Sequence, residues 1–260
     1  MRFVASIGRR TITTFRKMLY GFGFFYQVIK EAILYISHRQ VSHRVLTMQI
    51  LFTSIGALNV VMVISLSLGA VIIIQGISLL PQFGQGDLIY SILVTVITRE
   101  LGPLLTAFII IARSATAIAA ELGNMVVSHE IEAYVSIGIN PISFLVVPRF
   151  LGVTISMIVL NLYFNLFGLG GSFLLSQFIK PTPFLEYFRN LIVFLRLEDI
   201  ASTVVKCLVF GIIISTVATY NGLNVEYSST EIPKFAIKAV GQGFVYCILA
   251  NAIITLVYYL

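Results

Sequence analysis

Charged residues are scarce in this chain: 11% of 260, against 58% hydrophobic. A soluble domain carries about 25% charged residues. The scarcity is also clustered. Val45 to Gly86, Phe150 to Ile179, Cys207 to Val225 and Ala239 to Leu260 contain no Asp, Glu, Lys or Arg. A membrane-spanning helix requires about 20 mostly apolar residues, and each run reaches or nearly reaches that length. A soluble core has no use for so many such runs. Only two cysteines are present, Cys207 and Cys247. Both sit in apolar runs away from oxidant, which favours packing over a disulfide. There is no G-x-x-x-x-G-K-[ST] run and no Gly-Lys dipeptide, so no nucleotide site is expected. The histidines His38, His43 and His129 fall outside every expected span, which argues against Ser-His hydrolysis within the membrane. No compact apolar core of a cleavable signal follows Arg9 and Arg10. No internal repeat is visible, which weakens a repeat-built secondary transporter.

The charge that is present lies mainly at the start. Residues 1–44 hold eight of the 17 basic residues and one acid, Glu31. Such a segment before the first span predicts a cytoplasmic N-terminus and attraction to anionic lipid, with nucleic acid as the disfavoured rival. Phe15, Leu19, Phe22, Tyr26, Ile29 and Ile33 recur at helical spacing there. The apolar part is too short to span. It reads either as a helix in the headgroup region or as an amphipathic helix packed on protein. Val45–Gly86 is so long that a straight helix would cover about 63 Å. It is expected to bend, break or enter obliquely, with Gly56, Asn59, Gly69 and Gly76 as candidate places. Pro81 to Gly86 reads as an exposed turn. The remaining pattern predicts spans at about 49–80, 87–120, 142–177, 200–220 and 234–260. Lys180–Asp199 reads as a loop with Pro181, Pro183 and a short helix. The fold expected is an all-α integral membrane protein of about five transmembrane helices.

Three charged residues at membrane depth require an explanation: Arg99, Glu100 and Lys206. A charge at the bilayer centre costs about 2.5–3.5 kcal/mol on insertion scales. Arg99 and Glu100 are adjacent, so they cannot form an i,i+4 pair. Lys206 is a candidate partner for Glu100, leaving Arg99 free for an anionic group such as a lipid phosphate. A structural charge network that sets helix register is the equal alternative. Arg113 is expected to snorkel to the inner headgroups. Ala115, Ala119 and Gly123 lie four apart, as do Ala112, Thr116 and Ala120, and such stripes let membrane helices approach closely. The segment 121–141 is more polar. It carries Glu121, His129, Glu130 and Glu132, and then Gly138, Asn140 and Pro141, which stop a helix. One histidine among scattered carboxylates lacks metal-ligand spacing, and neither a metal site nor a catalytic residue is assigned. Docking on a partner protein is the preferred reading of the segment, over a merely solvated face.

The spacing Glu132-Ala133, Gly138, Pro141 resembles the coupling loop by which ABC-transporter permeases dock on a separate ATPase. RELGPLLTAFIIIARSATAIAAELGNM (99–125) and EIEAYVSIGINPISFLVVPRF (130–150) resemble the MlaE permease family. So do VVKCLVFGIIISTVATYNGLNV (204–225) and, more loosely, IIIQGI (72–77). The likeness covers about residues 45–260, and the basic segment 1–44 lies before it. The resemblance implies the membrane subunit of a phospholipid transporter in the bacterial inner (cytoplasmic) membrane, with the plastid inner envelope as the alternative. It implies a second copy of the chain, a cytoplasmic ABC ATPase using ATP and Mg, an MCE-domain protein, and in some systems a STAS-domain protein. No cofactor is implied for the chain itself. By the same resemblance, Glu121, Glu130, Glu132 and Gly138 belong to the ATPase-coupling segment. Arg99, Glu100, Lys206, Ile72, Gln75, Leu79, Leu80 and Phe83 would line the lipid path. The rival readings are an intramembrane lipid-modifying enzyme using Glu100 and a non-transporting scaffold.

Overall fold

The computed structural model describes residues 19–35, 43–83, 88–179, 181 and 183–259. It is all-α, with no strand among the described residues. A helix at 19–35 (α1) precedes α2 (His43–Leu79) and a 3-10 turn (Leu80–Phe83). The second span is a composite. It joins α3 (Leu88–Leu93), a π-helical stretch (Val94–Leu101), α4 (Gly102–Ile110), a π-turn (Ile111–Ala115) and α5 (Thr116–Val127). The short α6 (Glu130–Ser136) and a π-turn (Ile142–Val146) lead to α7 (Val147–Ile179). Then come α8 (Phe184–Phe194), α9 (Leu197–Leu223), a 3-10 turn (Ser229–Glu231) and α10 (Ile232–Tyr259). Five helical segments are long and apolar enough to cross a membrane: Arg44–Leu79, Leu88–Val127, Ile142–Ile179, Leu197–Leu223 and Ser229–Tyr258. The chain is therefore an all-α integral membrane protein.

Of the three ways the first long run could fit a membrane (a bend, a break or an oblique entry), the break does not occur. α2 continues unbroken over 37 residues, about 55 Å at 1.5 Å per residue. Its glycines serve contact instead. A Cβ on Gly69 would overlap the Gly168 carbonyl oxygen of α7. One on Gly56 would collide with the Arg113 guanidinium, and one on Gly76 with Ile89. Small residues let membrane helices approach closely where no hydrophobic force drives them together. α2 accordingly packs chiefly on α7. Of the two small-residue stripes, Ala115, Ala119 and Gly123 form the buried one, and Ala112 is exposed. Gly222 of α9 comes down on Ala119 and Leu122.

The connections divide the bundle into two ends. At one lie α1, α6 and the α9–α10 turn; at the other lie the 3-10 turn after α2 and α8. α1 buries Val28 and Ala32 against Val146, Val147 and Phe150. Its Glu31 accepts hydrogen bonds from Ser143 and from Asn140 at the start of the third span. Leu19, Tyr20, Phe22, Tyr26 and Ile33 remain exposed. α1 thus packs on protein along one face and keeps a second apolar face open. Phe15 and residues 84–86 of the expected Pro81–Gly86 turn fall outside the described residues. At the far end α8 rests on α7 through Tyr187, whose hydroxyl shares a 2.7 Å hydrogen bond with Ser172. Phe184, Leu185, Ile192 and Val193 of α8 are exposed.

Candidate functional site: a charge cluster within the bundle

The second span departs from α geometry where Arg99 and Glu100 lie, in the π-helical stretch. π-turns that interrupt α-helices are frequent at functional places. The local sequence accounts for part of this one. In an α-helix the Arg99 carbonyl would accept from residue 103, but Pro103 has no N–H. That carbonyl instead accepts Lys206 Nζ at 2.8 Å. Gly102 is required as well, because a Cβ there would overlap the Ile97 carbonyl oxygen. One turn back, Thr203 Oγ1 donates to the Thr98 carbonyl at 3.0 Å. The loosened stretch is therefore stitched to α9 by backbone acceptors.

The side chains complete the cluster. Lys206 Nζ lies 3.0 Å from Glu100 Oε2, and the lysine side chain is wholly buried. Asn251 Nδ2 and Thr255 Oγ1 of α10 donate to the same carboxylate at 3.3 and 3.2 Å. Arg99 is not left free. Its Nε lies 3.2 Å from Asp199 Oδ1, an ion pair of oblique geometry rather than a linear hydrogen bond. The other carboxylate oxygen of Asp199 accepts the Arg196 backbone N–H at 3.1 Å, half of a capping box that starts α9. Of the two readings the sequence leaves open, an unengaged Arg99 and a charge network that sets helix register, the Asp199 contact departs from the first. The sequence places residue 199 at the end of a loop, whereas it occupies the first turn of α9 and is buried in the bundle.

Two positive and two negative groups thus balance, as burial of charge in low dielectric requires. The cluster is not sealed: the Arg99 and Glu100 side chains are 24% and 30% exposed. A zwitterionic or anionic headgroup brought to that opening meets one cationic and one anionic group. Of the other candidate lining residues, Gln75 and Leu79 are exposed on α2, while Ile72 and Leu80 pack half-buried on the main core. The Phe83 side chain lies outside the described residues. Arg113 is exposed, with its guanidinium against the Gly56 notch. A separate cleft of about 980 Å³ lies between α1 and the α9–α10 turn, lined in part by Tyr20, Phe24, Tyr220 and Lys238.

At that same end, the 121–141 segment divides. α5 runs on to Val127, so Glu121 belongs to the span and not to the connecting helix. Glu121 pairs with Arg149 of α7 at 2.7 Å, and Arg149 also donates to the Leu145 carbonyl. α6 begins after His129, which takes a left-handed conformation (φ 60). It ends in a Schellman motif: Gly138, at φ 79, donates to the Val135 carbonyl, and Ile139 donates to that of Tyr134. Glu130 accepts from Ser128 Oγ at 3.0 Å. Glu132 accepts from Tyr227 Oη at 2.9 Å, and His129 Nδ1 lies 3.0 Å from its other oxygen.

The Tyr227 hydrogen bond, followed by that to His129, holds the Glu132 carboxyl below its ordinary value of 4.5. The same bond raises the Tyr227 phenol above 10.0. A depressed acid contributes stability above its ordinary value and loses it as pH falls through the lowered one. A raised phenol contributes below its ordinary value and loses it at higher pH. The contact is therefore lost on the acid side of 4.5 and on the alkaline side of 10.0. In Tyr227→Phe, an NMR titration of Glu132 is expected to show its pKa moving back up. An unmoved value would refute this cause.

Sequence reasoning missed Asp199, Asn251, Thr255, Tyr227 and the Arg149–Glu121 pair. Arg196-x-x-Asp199 carried a signal, because an acid at the third position of a helix is a start mark. The others carried none.

Similar proteins agree on what this arrangement belongs to. The family model for Permease MlaE matches residues 46–257. A probable ABC transporter permease protein of Rickettsia typhi is 30% identical over 207 residues, 80% of each chain. The chloroplastic protein trigalactosyldiacylglycerol 1 of Arabidopsis thaliana is 26% identical over 86% of this chain and 64% of its own. The intermembrane phospholipid transport system permease protein MlaE of Haemophilus influenzae is 23% identical over 92% of this chain and 91% of its own. With the family matched across nearly all of the membrane bundle, the chain belongs to the MlaE family of membrane permeases.

Proposed function

We propose that the chain is the membrane subunit of an ABC-type transporter that moves phospholipid between membranes. The observation that carries this reading is the balanced charge cluster at membrane depth, half open at Arg99 and Glu100. A purely structural network gains nothing from that opening, whereas a lipid headgroup requires it. The printed name of the Haemophilus influenzae relative, a phospholipid transport permease, points the same way. Two copies of the chain enclose the lipid between them. The exposed residues Gln75 and Leu79 line its path, continued by Ile72, Leu80 and Phe83. Glu130, Glu132 and the Gly138-terminated α6 form the docking segment for a cytoplasmic ATPase, which uses ATP and Mg. That polarity places the N-terminus in the cytoplasm, in a bacterial inner membrane. An MCE-domain protein meets the α8 end, and a STAS-domain protein joins from the cytoplasm.

Hydrolysis in the ATPase displaces α6, and the displacement opens or closes the cavity at the cluster. The test is reconstitution into vesicles with and without the ATPase, following labelled phospholipid. Transport is expected only with both subunits, and the combined reversal Glu130→Lys with Glu132→Lys is expected to abolish it. Lipid movement that persists without the ATPase, or that survives the reversal, would falsify the reading.

A further inference from the structure

α6 is joined by chain only to α5 and, through the Ile142–Val146 turn, to α7. A push on it reaches α9 and α10 along the chain only by way of the whole of α7 and α8. Yet α9 carries Lys206, and α10 carries Asn251 and Thr255, three of the groups that hold Glu100. The structure supplies a route through space. Tyr227, in the turn between α9 and α10, reaches 95 positions back to donate to Glu132 of α6. Its ring also stacks on His129, with centroids 5.2 Å apart and planes inclined by 17°. His129 closes the triangle on Glu132 and does so from a backbone conformation uncommon for a residue with a side chain. The turn is seated from below as well: Val225 is buried, and a Cβ on Gly123 of α5 would press into it.

We propose that the partner-facing surface is a two-part platform, α6 together with the α9–α10 turn, and that Tyr227 clamps the parts so that they move as one. This rests on the reading of the chain as an ATPase-driven permease. The α6 part of the platform exposes the apolar Val135 and Ile137, by 59% and 71%. The acids Glu130, Glu132 and Glu226 of the same two parts are exposed as well. An apolar patch with a charged rim is the anatomy of a protein interface. Its sign selects a partner with a basic rim, which here is the ATPase subunit. Lys234, close by on α10, is engaged by Glu231 at 2.8 Å. With the clamp in place, α9 and α10 follow α6. Without it α9 and α10 follow only through their packing on α5 and α7, and the two sides of the Glu100 cluster move less closely together. Tyr227 is a positioning residue in this scheme and touches no lipid.

Two substitutions separate the contributions. Tyr227→Phe keeps the ring stack and removes the hydrogen bond, and Tyr227→Ala removes both. In the full chain alone, in lipid nanodiscs, Tyr227→Phe is expected to raise amide exchange across α6 by about fivefold, the population change of one net hydrogen bond. Unchanged exchange in α6 overturns the clamp. In vesicles with the ATPase, the Tyr227→Phe complex is expected to keep wild-type subunit ratio and ATP hydrolysis. The lipid moved per ATP falls, and it falls further in Tyr227→Ala. Loss of the ATPase from the Tyr227→Phe complex makes Tyr227 an ordinary docking residue and overturns the transmission role, as does unchanged lipid moved per ATP. Wild-type vesicles that show no ATP-driven transport sink the transporter reading, and the clamp then stands or falls on the exchange result alone.

Discussion

Replacing Lys206 with methionine is expected to destabilise the chain by about 3–5 kcal/mol, the cost of stranding one member of a buried ion pair. The lysine side chain is fully buried and does two jobs. It neutralises Glu100, and it satisfies the Arg99 carbonyl that Pro103 leaves without a helical donor. Methionine keeps the volume and loses both. The companion Glu100→Gln removes the uncompensated charge, so the double variant is expected to recover a good part of the loss. Asn251 and Thr255 still find an acceptor on the amide. The measurement is a double-mutant cycle by thermal unfolding in detergent, read as coupling energy. Strict additivity would mean that the two side chains do not stabilise one another.

The second large effect is steric. Gly69→Val is expected to cost at least about 3 kcal/mol, the upper end of overpacking. The obstacle is the Gly168 carbonyl oxygen, a backbone atom that no rotamer change can move aside. α2 and α7 would separate along their length, and Gly171, where Leu66 packs, would lose its contact too. Gly241 is a control on α10, since a Cβ there meets nothing within 4 Å. Its replacement by alanine is expected to leave thermal stability within about 1 kcal/mol of wild type, helix propensity favouring alanine. Equal effects at Gly69 and Gly241 would show that the glycine notch does not set the α2–α7 distance.

The membrane class and the five spans were legible because insertion is a local property. Windows of about 20 residues carry their own transfer free energy, whatever they later touch. The same logic marked Arg99, Glu100 and Lys206, which are costly in hydrocarbon wherever they point. It marked Gly138 too, since a helix stop followed by Asn140 and Pro141 is local chemistry. The bounds were less sharp: α5 runs seven residues past 120, to Val127, because the Glu121–Arg149 pair lets a carboxylate remain on a helix that continues.

What composition left open was adjacency. α2 is apolar nearly all round, so no stripe states which neighbour it will meet. Lys206 and Glu100 are separated by 106 positions, and Tyr227 and Glu132 by 95. Whether such groups meet depends on which helices lie side by side and how deeply each sits. The glycines of α2 show the ambiguity most directly: a glycine in a long helix is equally a place to bend or a place to be touched, and only the presence of Gly168 and Arg113 decided for contact. The sequence by itself determined that the chain crosses a membrane five times and that a few charges there need partners, because both follow from local solvation. Only the tertiary structure decided that Arg99 is held by Asp199, that three helices share Glu100, and that Tyr227 of the α9–α10 turn meets Glu132 of α6. Those are contacts between distant segments, and packing alone selects them.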